Sequence, residues 1–379
     1  MDAPNLLRRP LLLGREGVIY EVSFPWRQRQ RPRHPRAKSH GLRVARSKES
    51  DITVHELQSS LFTVDSATAE AIRAAAERIT AHPNESPDDF GRQALAAAFS
   101  LPEEVRAAVL NFAEVGSEAG IMVVRGLYVD EGLTDTPLNN KSGLGASTVF
   151  AKEMGMLAHL LGSMVAYEAE GNGHLIQDMV PNPKLAVTQQ SQGSKVELEA
   201  HTEQCFSVFK PDYVILGALR GDENAKTYAF SGRKLVQHLS PEEVAKLRQP
   251  LWATTIDESF QPYIPRPDDV RGPFPILTGP EDDPYILVDQ DLMHGITAEA
   301  QRLLGKVVET YIEHRDAHVL QPGDLLMLDN LRAMHGRSMY APRFDGKDRF
   351  IARGFVVRDR RKLWPQLLGD RRTLAAIHS

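Results

Sequence analysis

Apolar residues recur at helical spacing through the first part of the chain. Asp65 and Ser66 cap a predicted helix that continues to about Ala81, with Ile72, Ala75, Ala76 and Ile79 on one face. Pro102 opens a second helix, whose buried stripe is Val105, Ala108, Val109 and Phe112. A third helical stretch runs near Phe150 to Val165. The texture then changes to short β-like runs separated by turn residues: YVILGAL from Tyr213, TYAF from Thr227, YILV from Tyr285, LLML from Leu325 and FIARGFVV from Phe350. One long helix interrupts them, roughly Ala298 to His314, with Leu304, Val307, Val308 and Tyr311 on its apolar face. Helices followed by many short strands predict an α+β chain, its core a β-sandwich or jelly roll buttressed by helices.

Composition narrows this picture. The 379 residues are 42% hydrophobic, enough for one large catalytic domain with decorations or two smaller domains. No run of 18 apolar residues occurs, and the N-terminus lacks a secretory signal pattern, so no membrane partner is expected. The single cysteine, Cys205, excludes an internal disulfide framework and a cysteine-based structural zinc site, and a reducing, cytoplasmic setting fits best. The net charge of −5 offers no general reason to expect nucleic acid. That charge is unevenly spread: residues 1–50 carry +8 and the remainder −13. The basic stretch from Trp26 to Arg43 cannot bury enough apolar surface to fold by itself. It reads as a disordered leader, as upstream sequence with Val44 the true start, or as a tail touching nucleic acid or acidic lipid. The expected organisation is therefore a leader over 1–50 and a single domain over 51–379.

The chemistry begins at His201-Thr202-Glu203. On a strand, residues i and i+2 share a face, so the His201 imidazole and the Glu203 carboxylate can meet one ion. A histidine from another strand would complete a set of two histidines and one carboxylate, which leaves three metal positions open and is typical of non-haem Fe(II) oxygenases. His335 is the candidate, in LQPGDLLMLDNLRAMHGRSMY, where Pro322-Gly323-Asp324 makes a turn and LLML a buried strand. Arg349 follows 14 residues later and can pair bidentately with the far carboxylate of a cosubstrate. Thr227 can add a hydroxyl donor. Each residue also has a plainer reading: an ordinary HxE strand, a packing histidine, a surface arginine, a threonine chosen for β-propensity.

Taken together, HTE, PDYVILGALRGD, KTYAF, LQPGDLLMLDNLRAMHGR and DGKDRFIARGF, in this order, resemble clavaminate synthase and its relatives. These include arginine and asparagine hydroxylases of peptide-antibiotic pathways. Upstream, GHLIQDMVP and TQQSQGS are similar as well, and the resemblance spans roughly Leu101 to Asp359. It implies a distorted jelly roll, the double-stranded β-helix, holding Fe(II) through His201, Glu203 and His335. It also implies 2-oxoglutarate anchored by Arg349 with Thr227, and O2 as the second cosubstrate. The expected reaction couples decarboxylation to succinate with hydroxylation of an unactivated C–H bond. Glu203 occupies the place that halogenases of this class leave to chloride, which favours hydroxylation over chlorination.

The resemblance also bears on the substrate, a free L-amino acid or a derivative. Ser191 and Arg353 match positions that hold its carboxylate, and Gln177 one that binds its α-amino group, shared with the free oxygen of Glu203. Asp289 matches a position that meets a cationic side chain. Strand alternation would set Asp291 beside it, although a polar turn is the plainer reading of both. A basic amino acid is thus the leading substrate and a neutral polar one the next. The segment from Gln177 to His201 is a little short and carries Gln190 where relatives often have Thr. A peptide or carrier-tethered substrate, and desaturation or cyclisation, stay open alternatives. Outside the class stand a zinc hydrolase on the same ligands and a non-catalytic jelly-roll binding protein.

Overall fold

The chain divides into two units, residues 1–53 and 54–379. The computed structural model describes Leu12–Leu13, Ile19–Tyr20 and residues 60–264 and 269–376. In the first unit the described residues form a two-stranded antiparallel ribbon, Leu12–Leu13 with Ile19–Tyr20. The expectation for the basic stretch Trp26 to Arg43 lies outside the described residues.

The second unit is built on two sheets. The larger orders Thr373–Leu374, Ser163–Tyr167, Phe350–Val357, Tyr213–Arg220, Leu325–Asp329, Ile121–Arg125 and Leu61–Thr63, and Gln177–Met179 also pairs with Phe350–Val357. Its pairings are antiparallel except the outermost one at each end. The smaller sheet orders Asp316–Val319, Lys226–Ser231, Ala333–Arg337 and Leu198–His201, all antiparallel. Alternation along the buried Phe350–Val357 strand divides two apolar clusters. Phe350, Ala352 and Val356 join the helices on one side, while Ile351, Phe355 and Val357 face the smaller sheet, meeting Ala229 and Ala333. The outer face of the smaller sheet, through Phe230 and Met334, packs against Leu303, Leu304, Val307 and Tyr311 of the Ala298–His314 helix.

Four helices cover the other face of the larger sheet. Ser66–Glu77 is capped by Asp65, whose Oδ1 accepts the Thr68 amide at 2.8 Å; it stops four residues before Ala81, although Ile79 stays buried beyond it. Glu103–Val115 begins after Pro102 and buries the four residues of its predicted stripe. Pro87–Ala98 was not visible in the apolar pattern, because alanines and Gly91 make most of its buried face. Val149–Leu161 is central, and it packs on the other three helices and on the Tyr213–Arg220 strand.

Three local expectations are corrected. The third helix ends at Leu161 rather than continuing to Val165, and Ser163–Tyr167 is a strand. Gly162 makes the change of direction: a Cβ there would lie 2.4 Å from the Val357 carbonyl oxygen. YILV contributes only the two-residue strand Tyr285–Ile286, paired with Leu277–Thr278. The HxE tripeptide is not a continuous strand either; the strand ends at His201 and a turn follows, with Gln204 at φ 52°. No helix among the described residues is long and apolar enough to cross a membrane.

One buried group in the helical layer has a measurable consequence. Glu153 is fully buried, and burial, aided by the charge of Asp130, pushes its pKa up to about 9 against the pull of the Tyr128 backbone amide. The folded pKa lies above the unfolded one, so this contribution to stability is present in full below the unfolded pKa and is lost as pH rises towards 9. Glu153→Gln keeps the shape without the ionisation. It should raise stability at pH 7–8 by on the order of 3 kcal/mol. Thermal unfolding across pH checks this: the gain should vanish near pH 4, and equal melting temperatures at pH 8 would refute it.

Candidate active site

The site lies between the sheets. His201 closes its strand and pairs with His335 across the ladder. Their ring centroids are 4.2 Å apart. The His201 Nδ1 hydrogen is donated to the Glu199 carbonyl at 2.8 Å, which leaves Nε2 bare and able to bind a metal. His335 Nε2 lies 3.9 Å from Glu203 Oε2. Metal-capable atoms of His201, Glu203 and His335 all fall within 4.8 Å of one another, and no other trio among the described residues converges this way. His335 is buried, and burial, then the neighbouring His201, drives its pKa well down, so it is a neutral imidazole with a lone pair to offer.

Glu203 reaches the trio through the turn rather than through strand alternation. Its backbone is clamped by Asn330, fully buried, whose Oδ1 accepts the Glu203 amide at 2.7 Å. The Asn330 Nδ2 donates to the carbonyls of Glu203 at 3.2 Å and Pro211 at 2.8 Å. Thr202 anchors the same turn from the other side, its amide donating to Val288 O at 2.8 Å.

Two cavities meet at His201 and Glu203, and His335 lines the first of them. The first is lined by Thr227, Arg337, Arg349, Ser191, Met179 and Leu216, besides His201, Glu203 and His335. Arg349, Ile351 and Arg353 alternate onto one face of the chain entering Phe350–Val357, which is why the two arginines look the same way. Arg349 is buried without an ion pair to a carboxylate among the described residues, and burial lowers its pKa. Thr227 Oγ1 is buried and has no hydrogen-bond partner. Arg337, two residues after His335 on the same face, is pushed down to about 10 by burial and by Arg349. Its guanidinium donates to Ser191 O at 3.0 Å and to Gly193 O, tethering the segment that roofs the site. Arg337, Arg349 and Arg353 line this pocket against the single carboxylate of Glu203, and that excess of positive charge fits a bound dicarboxylate, whose far end Arg349 and Thr227 can hold.

The second cavity has the opposite sign. Glu170, Glu199, Asp257, Asp289 and Asp291 line it together with Glu203, and Arg353 is its one cation among the described lining residues. Arg353 is buried and already engaged: its Nε donates to Gln177 Oε1 at 3.0 Å, and its guanidinium forms an ion pair with Glu170 and lies 3.6 Å from Glu203 Oε1. Burial pushes Glu170 up to about 7 against the pull of Arg353. Gln177 Oε1 faces Arg353, so its unpartnered Nε2 is a donor. This geometry suits a carboxylate oxygen and runs against the expected contact with an α-ammonium. Asp289 and Asp291 do line one wall, but a turn puts them there, since Asp289 only bridges His201 and the chain then bends. Asp289 Oδ1 accepts the amides of Asp291 at 3.1 Å and Leu292 at 2.9 Å, and its pKa is raised by burial. Gln190 donates to Glu258 at 2.8 Å across the rim.

All ten residues singled out in the sequence therefore gather at this centre; nine line the two cavities, and Gln177 touches them through Arg353. Glu170, Glu199, Asn330 and Arg337 were missed. Alternation from His335 could have found Arg337, whereas the ladder is irregular between Leu198 and His201, next to Glu199. Glu170 and Asn330 sit in loops with no such signal.

Comparison with known proteins agrees with this geometry. A model described as taurine catabolism dioxygenase TauD, TfdA family, matches residues 118–354. An L-lysine 3-hydroxylase of Catenulispora acidiphila is 45% identical over 305 residues, covering 79% of this chain and 85% of that protein. An L-asparagine oxygenase of Streptomyces coelicolor is 32% identical, covering 79% and 90%. The solved structure of asparagine oxygenase with Fe(II), 2S,3S-3-hydroxyasparagine and succinate is similar at a TM-score of 0.77 and 30% identity, over 84% of this chain and 99% of that one. The oxygenase OrfP with Fe and alpha-ketoglutaric acid reaches 0.73 at 27% identity, over 83% and 99%. With a match over residues 118–354 and a 45% identical relative, the chain belongs to the TauD/TfdA dioxygenase family.

Proposed function

We propose that the protein is a non-haem Fe(II)- and 2-oxoglutarate-dependent oxygenase that hydroxylates a free basic L-amino acid, L-lysine first. We read its two facing sheets as a distorted jelly roll. The observation that carries the proposal is the pair of oppositely charged cavities meeting at His201 and Glu203, with His335 completing the metal trio from the arginine-lined side. The arginine-lined side suits an anionic cosubstrate and the carboxylate-lined side a cationic substrate. The similarity to an L-lysine 3-hydroxylase supports the same choice.

In this reading His201, Glu203 and His335 hold Fe(II), and their neutral-neutral-anionic donor set leaves open positions for cosubstrate and O2. Iron and 2-oxoglutarate, when bound, supply the oxidation: O2 is consumed, succinate and CO2 are released, and one oxygen atom enters a substrate C–H bond. Arg349 and Thr227 fix the far carboxylate of 2-oxoglutarate. Gln177, Ser191 and Arg353 orient the substrate carboxylate, while Glu170 and the free oxygen of Glu203 receive its α-ammonium. Asp289 and Asp291 set the negative wall along the side chain. The roofing segment, held by Arg337, keeps bulk water from the centre. A cytoplasmic setting, with amino acid as the small-molecule partner, goes with the single, buried Cys205.

The test is aerobic incubation with Fe(II), 2-oxoglutarate and a panel of free L-amino acids, following succinate and product mass together. Gain of one oxygen atom on lysine, arginine or ornithine, in step with succinate, is the expected result. Succinate with every free amino acid unchanged would move the substrate to peptide or carrier-bound forms. Oxygen gained only on a neutral amino acid would reject the charge argument.

A further inference from the structure

We infer that Glu199 is a specificity-determining residue whose carboxylate, with Asp291, receives the cationic group at the end of the substrate side chain. The inference rests on the reading of a basic amino-acid substrate and assigns its side-chain subsite.

Glu199 stands two residues before His201 on the same strand, at an irregular step of the ladder: His335 pairs with His201, while Arg337, two residues on, pairs with Leu198. It lines the acidic cavity. Its side chain is half-buried and has no hydrogen bond or ion pair among the described residues. The other carboxylates of the cavity are committed. Glu203 belongs to the metal trio, and Glu170 pairs with Arg353. Asp289 Oδ1 is spent on two backbone amides, and Asp257 Oδ1 accepts from Ser259 at 2.8 and 2.7 Å. A half-buried, unpaired carboxylate beside like charges is favourable only when a cation joins it.

A second observation points to a donor-rich ligand in the same cavity. Gln204 is 7% exposed and lines the cavity, yet its Oε1 has no hydrogen-bond partner, while its Nε2 donates to Glu170 at 3.0 Å. An unmet acceptor here fits an ammonium hydrogen. The reach also fits. Five bonds of about 1.5 Å separate Cα from Nζ in lysine, about 6 Å when extended. A substrate held with its α-centre near Glu170 and Glu203 carries its ammonium that far along the cavity, where Glu199 is a lining carboxylate left unpaired.

The experiment compares wild type and Glu199→Gln on L-lysine and on L-norleucine, which lacks the terminal ammonium. Glu199→Gln should raise the KM for L-lysine about tenfold to a hundredfold. The KM for 2-oxoglutarate should stay within about twofold, since Arg349 and Thr227 sit in the other cavity. Wild type should already bind L-norleucine poorly, and the variant should not worsen it further. Glu199→Asp, which keeps the charge one methylene short, should fall between. If arginine is the substrate turned over, L-arginine against L-citrulline replaces the pair. An unchanged KM for the basic substrate, or equal losses on both substrates of the pair, overturns the assignment while leaving the enzyme class standing. Wild type inert towards lysine, arginine and ornithine overturns the basic-substrate reading and the inference with it.

Discussion

His335→Ala should lower succinate formation with Fe(II), 2-oxoglutarate and a basic amino acid by about a thousandfold or more. Metal polarisation is worth several kcal/mol, and each 1.36 kcal/mol is a factor of ten in rate. The residue is the middle of a five-residue strand whose members are all buried, its imidazole is kept neutral by burial, and its Nε2 lies 3.9 Å from Glu203 Oε2. Removing the ring deletes one of three donors and leaves His201 and Glu203, a chelate too small to hold Fe(II) firmly. The fold should survive, because Ala333 and Met334 keep their apolar contacts on the two faces of the strand. Three readings check this together: activity, bound iron after desalting, and the far-ultraviolet dichroism. Retention of stoichiometric iron by a folded His335→Ala protein would remove the residue from the proposed metal set.

Arg349→Ala should raise the 2-oxoglutarate requirement by roughly a hundredfold to a thousandfold, as expected for losing one partner of a desolvated charge-assisted pair worth about 3–5 kcal/mol. The surroundings of Arg349 tell why the effect is large. Arg349 is buried without a carboxylate partner among the described residues, with the orphaned Thr227 hydroxyl in the same cavity. Arg337 offers no substitute, because its guanidinium is occupied by Ser191 O and Gly193 O. Arg349→Lys keeps a point charge and loses the fork, so it should recover only part of the affinity. Titration of succinate formation against 2-oxoglutarate at saturating iron and amino acid measures both. A 2-oxoglutarate KM equal to that of wild type in Arg349→Ala would place the anchor elsewhere.

The residues that were legible share one property: they sit on strands, or directly beside them, where period two converts spacing into direction. Arg349 and Arg353 are four apart and share the inner face of Phe350–Val357, a strand whose bounds were read correctly from its apolar run. His335 follows a buried strand and a tight turn at Pro322-Gly323-Asp324, where Gly323 takes φ 85°. The misplaced features lie where periodicity carries no information. Met164 and Val165 read as helix because a short apolar run fits either period, and only the contact of Gly162 with the opposite strand ends the helix. Asp289 and Asp291 were placed together for the wrong reason, since a turn bridged to His201 sets them on one wall. The Gln177 contact with an ammonium was implied by resemblance, and the bond of its oxygen to Arg353, 176 positions away, has no local signal.

Spacing and residue type were enough for the helix-then-strand order and for a two-histidine, one-carboxylate centre with an arginine anchor. These follow from local periodicity and from side-chain chemistry, which travel with the residue wherever it is put; the family came from the resemblance of whole motifs. Packing alone makes Asn330 clamp the Glu203 turn, Arg337 tie down the Ser191 segment and Glu170 neutralise Arg353. These contacts join residues 127, 146 and 183 positions apart. The polarity of the two cavities was decided there as well: a charge acts on what lies within a few ångströms of it, and that neighbourhood is set by the packing of the sheets rather than by the order of the chain.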